Sequence, residues 1–93
     1  MIRDVQLTES ARKDLAQAPQ HVVDKLLAWV MLVKMKGLHE VRKVPGYHDE
    51  PLLGRRKGQR SIRLSRSWRA VYTQQGDGAA GFVRVEEVHK HAY

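Results

Sequence analysis

Residues 51–76 read PLLGRRKGQRSIRLSRSWRAVYTQQG, and their pattern decides the fold. From Ser61 to Leu64 the chain alternates, with Ile62 and Leu64 on one face and Ser61 and Arg63 on the other, the two-residue period of a strand with one buried side. Trp68 to Thr73 is rich in aromatic and β-branched residues and reads as a second strand. Gln75-Gly76-Asp77-Gly78 supplies a turn, and Phe82 to Val88 reads as a third strand returning antiparallel across it. The same stretch carries Arg55, Arg56, Lys57, Arg60, Arg63, Arg66 and Arg69 and no acidic residue. Residues 1–50 hold eight Lys/Arg against seven Asp/Glu, and residues 77–93 two against three, so the formal net charge of +7 comes from this one segment. A clustered positive field is the footprint of a polyanion binder.

Upstream, Ile2, Val5 and Leu7 form a short run able to make a strand, with Thr8 as N-cap of a helix over 9–18. Ala11, Leu15 and Ala18 share that helix's apolar face. Pro19 breaks it and suits the first turn of a second helix over 20–36. The apolar stripe of the second helix is expected at Val23, Leu26, Leu27, Val30 and Val33, with Lys34 and Lys36 complementing the dipole and Gly37 closing the helix. Residues 38–53, with Pro45, Gly46 and Pro51, form a connector in which no element is assigned. The order predicts an α+β domain: an N-terminal strand, a two-helix hairpin, then an antiparallel sheet of about three strands packed on the helices.

The 93 residues are expected to form a single domain, 1–93, with room for one modest core. A hydrophobic fraction of 42% argues against disorder. A pI near 10.2 favours nucleic acid as partner over an anionic membrane surface. The chain has no cysteine, which excludes disulfides, Cys-based zinc sites and thiol nucleophiles. Met1-Ile2-Arg3-Asp4 opens no apolar signal segment, and the longest apolar stretch, Leu26 to Val33, is eight residues, too short for a bilayer; a cytoplasmic protein is expected.

With Ile62 and Leu64 beneath the helices, Arg63 points to the opposite sheet face. Arg69 alternates with Trp68 and Ala70, and His89, His91 and Tyr93 share a parity in the last strand. A helix-free face bearing Arg, His and Tyr is a candidate surface for binding and cleaving RNA. Cleavage by the RNA's own 2′-hydroxyl needs a base for that proton, an acid for the leaving 5′-oxygen, and cations for the charge gathering on phosphorus. Histidine titrates near neutrality, tyrosine serves only if cations lower its pKa of about 10, and arginine binds phosphate bidentately. No paired Asp/Glu cluster is present to hold magnesium, so cleavage is expected to need no metal and no cofactor.

The string Gly58 to Tyr72, GQRSIRLSRSWRAVY, resembles the two central strands of the RelE/ParE superfamily of toxins, and residues 85–93, VEEVHKHAY, resemble the last strand and catalytic tail of its RelE/HigB-like members. The resemblance covers nearly the whole chain. It implies the toxin of a type II toxin–antitoxin pair, an mRNA interferase that cleaves mRNA in the ribosomal A site without a metal and arrests translation. It implies Arg69 as the arginine that stabilises the reacting phosphate, Arg63 as a basic residue contacting the same site, and His91 and Tyr93 as general acid/base residues. Lys57 and Arg60 fall where further contacts to mRNA or ribosomal RNA are common, among Arg55, Arg56 and Arg66, and His89 is an additional candidate. A cognate antitoxin is implied, presenting acidic and apolar side chains to the basic face or the helical hairpin, and the pair is expected to bind operator DNA through the antitoxin. Where relatives are expected to carry an acid before the terminal tyrosine, this chain has Ala92, which implies a weakened tail if that acid orients His91.

Alternatives stand beside this reading. ParE-like proteins share the fold, inhibit DNA gyrase without nuclease activity and generally lack the acid/base tail, so His91 and Tyr93 favour the nuclease and Ala92 weakens that preference. A passive nucleic-acid-binding module would show salt-sensitive binding alone. Arg69 is open to a structural salt bridge with Glu86 or Glu87. Trp29 and Trp68 are assigned to core or rim, with stacking on RNA the alternative for Trp68. His89-x-His91 lacks a credible third metal ligand. Met31, Met35 and Val33 are assigned to extra core, with antitoxin contact as the alternative.

Overall fold

Thr8 sets the first boundary. In the computed structural model, which describes residues 1–90, its Oγ1 accepts from Ala11 N at 3.0 Å and caps α1 (Glu9–Ala16). The same hydroxyl donates to Glu86 O at 2.8 Å, which ties the helix start to the last strand. The helix stops short of Ala18, because the residue before a proline is pushed out of helical backbone.

After Pro19 comes α2 (Gln20–Lys36), ending at Gly37, whose φ of 85° favours glycine. A Cβ there would also collide with the Met1 side chain. The buried stripe of α2 is Val22, Leu26, Trp29 and Val33. This corrects the expected stripe: Leu26 and Val33 stay in it, Val23 and Val30 are half-buried, and Leu27 is exposed. Met31 and Met35, expected as extra core, are exposed as well. Trp29 accounts for the rotation, since its indole carries the largest apolar area on the helix. It packs on Tyr72 with ring centroids 5.1 Å apart.

The connector holds more structure than expected. It contains α3 (Leu38–Val41), a 3-10 turn over Pro45–Tyr47 and the short strand β2 (Glu50–Pro51). With β1 (Asp4–Leu7), β3 (Gln59–Arg63), β4 (Trp68–Gln75) and β5 (Phe82–Lys90), β2 forms a five-stranded sheet in the order β1-β5-β4-β3-β2. The three expected strands are its antiparallel centre. To this β1 adds parallel to β5 at one edge and β2 adds antiparallel to β3 at the other. Ile62, Tyr72, Val83 and Val85 share one buried cluster with the α2 stripe, so the helices cover one sheet face. No described helix is long and apolar enough to cross a membrane.

A bulge decides what the other face carries. Val71 lies opposite Glu87 and Tyr72 opposite Val85, so Glu86 is the extra residue of β5. Before it Val83 and Val85 are buried, and after it Val88 is. The parity therefore switches, and His89 emerges away from the helices. Beyond Val85 the β5 edge has no β1 partner. Thr8 N donates to Val85 O at 3.0 Å, and Asp14 Oδ2 accepts from Val88 N at 2.9 Å, so side chains and the helix start satisfy that edge instead.

Candidate nucleic-acid interface

Arg63, Arg69 and His89 are register partners across β3, β4 and β5. The next row on the same face is Glu50, Ser61, Val71 and Glu87. A cleft of about 330 Å³ opens over these rows, lined by Glu50, Arg56, Ser61, Arg69 and His89 above Val71.

Arg69 is tightly held. Its Nε and Nη2 donate to Ser61 Oγ at 3.1 and 2.7 Å, and Nη2 also reaches His48 O at 3.3 Å and Glu50 Oε1 at 3.4 Å. Its ion-pair partner is therefore Glu50, in place of the alternatives Glu86 and Glu87. Register explains the choice. Glu87 lies opposite Val71, where its carboxylate takes Arg56 Nη2 at 2.5 Å and stands 3.4 Å from His89 Nε2. Glu86 accepts from Thr73 Oγ1 and Arg84 Nε, each at 2.8 Å.

The cleft thus pairs its cations with the chain's own acids. Exposed ion pairs contribute about 0–1 kcal/mol each, whereas a bidentate, charge-assisted bond from arginine to phosphate is stronger and geometrically specific. A phosphate entering the cleft can compete for the Arg69 and Arg56 donors.

The remaining basic candidates divide by position. Arg63 is exposed at the end of β3. Arg55 and Arg56 sit in the 3-10 turn Gly54–Arg56 and Lys57 follows it, all exposed along the loop into β3. Arg66 is exposed in the β3–β4 turn. Arg60 differs, because it shares the parity of buried Ile62 and points to the helix side. Its Nε donates to Asp49 Oδ1 at 2.6 Å, and the Asp49 side chain is fully buried. Tyr72 Oη donates to Asp49 Oδ2, and Arg42 Nε donates to Tyr72 Oη at 3.3 Å. Burial, and then the bond to Asp49, raises the Tyr72 phenol well above its ordinary pKa. That tyrosine is neutral in the physiological range. His91 and Tyr93, the expected acid/base residues, lie outside the described residues. Among the described residues no group of three His, Cys, Asp or Glu is placed to hold a metal ion.

No family model and no curated protein matches the chain. Solved structures do. The YoeB/ParE toxin from Agrobacterium tumefaciens superposes with a TM-score of 0.74 at 22% identity, over 96% of this chain and 99% of that one. This is the RelE-like toxin fold. YafQ from E. coli strain BL21(DE3) matches it at 0.71 and 23% identity, covering 95% of this chain and 92% of its own. The E. coli DinJ–YafQ toxin–antitoxin complex matches at 0.70 and 24%, covering 98% and 94%.

In this RelE-like sheet β2 is the edge strand, and it delivers a charged cleft residue that sequence reasoning missed. Glu50 sits in a connector with no periodicity, and nothing local separates it from Glu40 or Asp77. Only the pairing of Glu50 with Ser61 brings it beside Arg69.

Proposed function

We propose that this chain is the toxin of a type II toxin–antitoxin pair and that it cleaves messenger RNA in the ribosomal A site, arresting translation in the cytoplasm. The observation that carries this reading is Arg69 and Glu50 facing each other in the cleft, with Arg63 and His89 on the strands either side. A cation and a carboxylate then lie within reach of one phosphodiester. Glu50 takes the proton of the 2′-hydroxyl, the 2′-oxygen attacks phosphorus, and the bond to the 5′-oxygen breaks. The leaving oxygen receives a proton from His91, with Tyr93 as the second acid/base group. Arg69 and Arg63 stabilise the charge on phosphorus. The products are a 2′,3′-cyclic phosphate and a 5′-hydroxyl; Glu50 gains the proton that the 2′-hydroxyl loses and His91 gives up the one that the 5′-oxygen gains, a set of roles that calls for no metal. Arg55, Arg56, Lys57 and Arg66 hold flanking phosphates of mRNA or ribosomal RNA, while Arg60 serves the protein side of the sheet.

The similar YafQ structure solved as a complex with DinJ supports a cognate antitoxin as partner. The pair binds operator DNA through that antitoxin. Tightly induced expression with primer extension on a reporter mRNA tests the reading. Ribosome-dependent cuts and translation arrest are expected, and both vanish in Arg69→Ala. Intact mRNA in the parent and in an Ala92→Asp chain overturns the nuclease, and a DNA-damage response in those cells points to gyrase.

A further inference from the structure

Consecutive acids enter the sheet edge on opposite faces. Asp49 goes to the covered side, where its fully buried carboxylate accepts from Arg60 Nε at 2.6 Å and from Tyr72 Oη. Glu50 goes to the cleft, 63% exposed, beside Arg69. The backbone just before them is held from the open side too, since Arg69 Nη2 donates to His48 O at 3.3 Å. His48 has a φ of 46°, the one non-glycine residue with a left-handed value among the described residues. Such a conformation persists where the surroundings over-determine it.

β2 spans only Glu50 and Pro51 and pairs with β3 alone, so its ladder is too short to fix a side chain by itself. The donors to Asp49 are fixed more firmly. Tyr72 lies in β4, packs at a tilt against Trp29 and is bonded by Arg42 Nε, and Arg60 lies in β3.

We infer that Asp49 is a positioning residue: clamped by Tyr72 and Arg60 from behind the sheet, it sets the Glu50 carboxylate at Arg69 for proton abstraction. Asp49 never meets RNA, because its side chain is fully buried. The inference rests on Glu50 being the base of the proposed reaction.

Asp49→Asn keeps the shape and removes the charge, and Tyr72→Phe removes one donor and keeps the ring. The first readout needs no RNA. Leu52 N donates to Gln59 O at 2.9 Å, so hydrogen exchange at Leu52 reports β2–β3 pairing. Faster exchange at Leu52 is expected in Asp49→Asn, less so in Tyr72→Phe, with β4–β5 protection kept. Unchanged exchange at Leu52, or protection lost across the whole sheet, overturns the clamp. The second readout is single-turnover cleavage on ribosomes. Asp49→Asn is expected to slow cleavage about 100-fold, the scale of an ångström-sized misplacement, with ribosome affinity unchanged. In a Glu50→Gln chain the same change should add nothing. Additive losses overturn the inference. A Glu50→Gln chain that cleaves normally overturns the base and its positioning together, and the Leu52 exchange then tells whether the clamp exists without a catalytic group to serve.

Discussion

Arg63 and Arg69 stand directly opposite each other on adjacent strands. Like charges in that arrangement destabilise a sheet. Relief comes at Arg69, through Glu50 and His48 O, while Arg63 is exposed and has no ion pair among the described residues. A site with an uncompensated cation beside a half-compensated one is complementary to an anion. Arg63→Gln is therefore expected to stabilise the free protein by a few tenths of a kcal/mol up to about 1. It should weaken RNA binding at the same time, lowering the slope of log K against log salt by about 1. Urea denaturation and a salt titration check the two halves, and a loss of stability would show that Arg63 has a structural role.

Arg69→Lys keeps the charge and loses the fork. The contacts to Ser61, His48 and Glu50 come from Nε and Nη2 of one planar fork, a geometry that an ammonium does not present. The cleavage rate is expected to fall about 100-fold or more, the scale of removing one preorganised donor from a developing anion. Rate measurement with circular dichroism on the same chain separates lost chemistry from lost fold. A lysine chain with near-parental activity would mean that Arg69 acts only as a point charge.

The alternation of Ile62 and Leu64, the Thr8 cap and the Gly37 stop are local signals, and they placed the sheet centre and both long helices. Three features were decided by tertiary contacts. The indole of Trp29 turned α2 away from the stripe that aliphatic spacing favours. β2 pairs with β3 next to the point where Asp49 meets Tyr72 across 23 positions of sequence, a contact that no local pattern encodes. The bulge at Glu86 left a trace, since Val85 and Val88 are both buried three residues apart. Alternation along the strands put Arg63 and Arg69 on the face away from the helices, where the sheet holds them. Arg60 shares the parity of Ile62, a fact that its basic neighbours obscure. Glu50 carried no mark, because only its pairing with Ser61 brings it beside Arg69.

α2 presents Leu27, Met31 and Met35 at 51%, 55% and 64% exposure, one apolar line along the helix. Exposed Lys34 and Lys36 border it, a rim that repels a second copy of this basic chain and suits an acidic amphipathic segment of the proposed antitoxin. Met31→Ser with Met35→Ser is expected to change stability by no more than about 0.5 kcal/mol and to weaken antitoxin binding at least about ten-fold. Calorimetric titration with the co-expressed antitoxin measures this. Unchanged affinity would place the antitoxin on the basic face alone.

Tyr72 makes stability depend on alkaline pH with a definite sign. Burial, and then the Asp49 carboxylate, raises its folded pKa above the unfolded value of about 10. Above pH 10 the unfolded chain has released this proton and the folded chain still holds it, so unfolding is favoured as pH rises. The stabilisation is complete below pH 10 and is lost toward the folded pKa, at up to about 1.4 kcal/mol per pH unit. Tyr47, also raised by burial, adds a component of the same sign that remains when Tyr72 is replaced. Tyr72→Phe removes the Tyr72 component and deprives buried Asp49 of a donor, at a cost near neutrality of about 1–3 kcal/mol. The two chains should therefore differ most at pH 7 to 9 and converge as pH climbs past 10. Equilibrium unfolding at stepped pH tests this, and parallel curves would mean that the phenol ionises as easily in the folded chain as in the unfolded one, leaving Asp49 held by Arg60 alone.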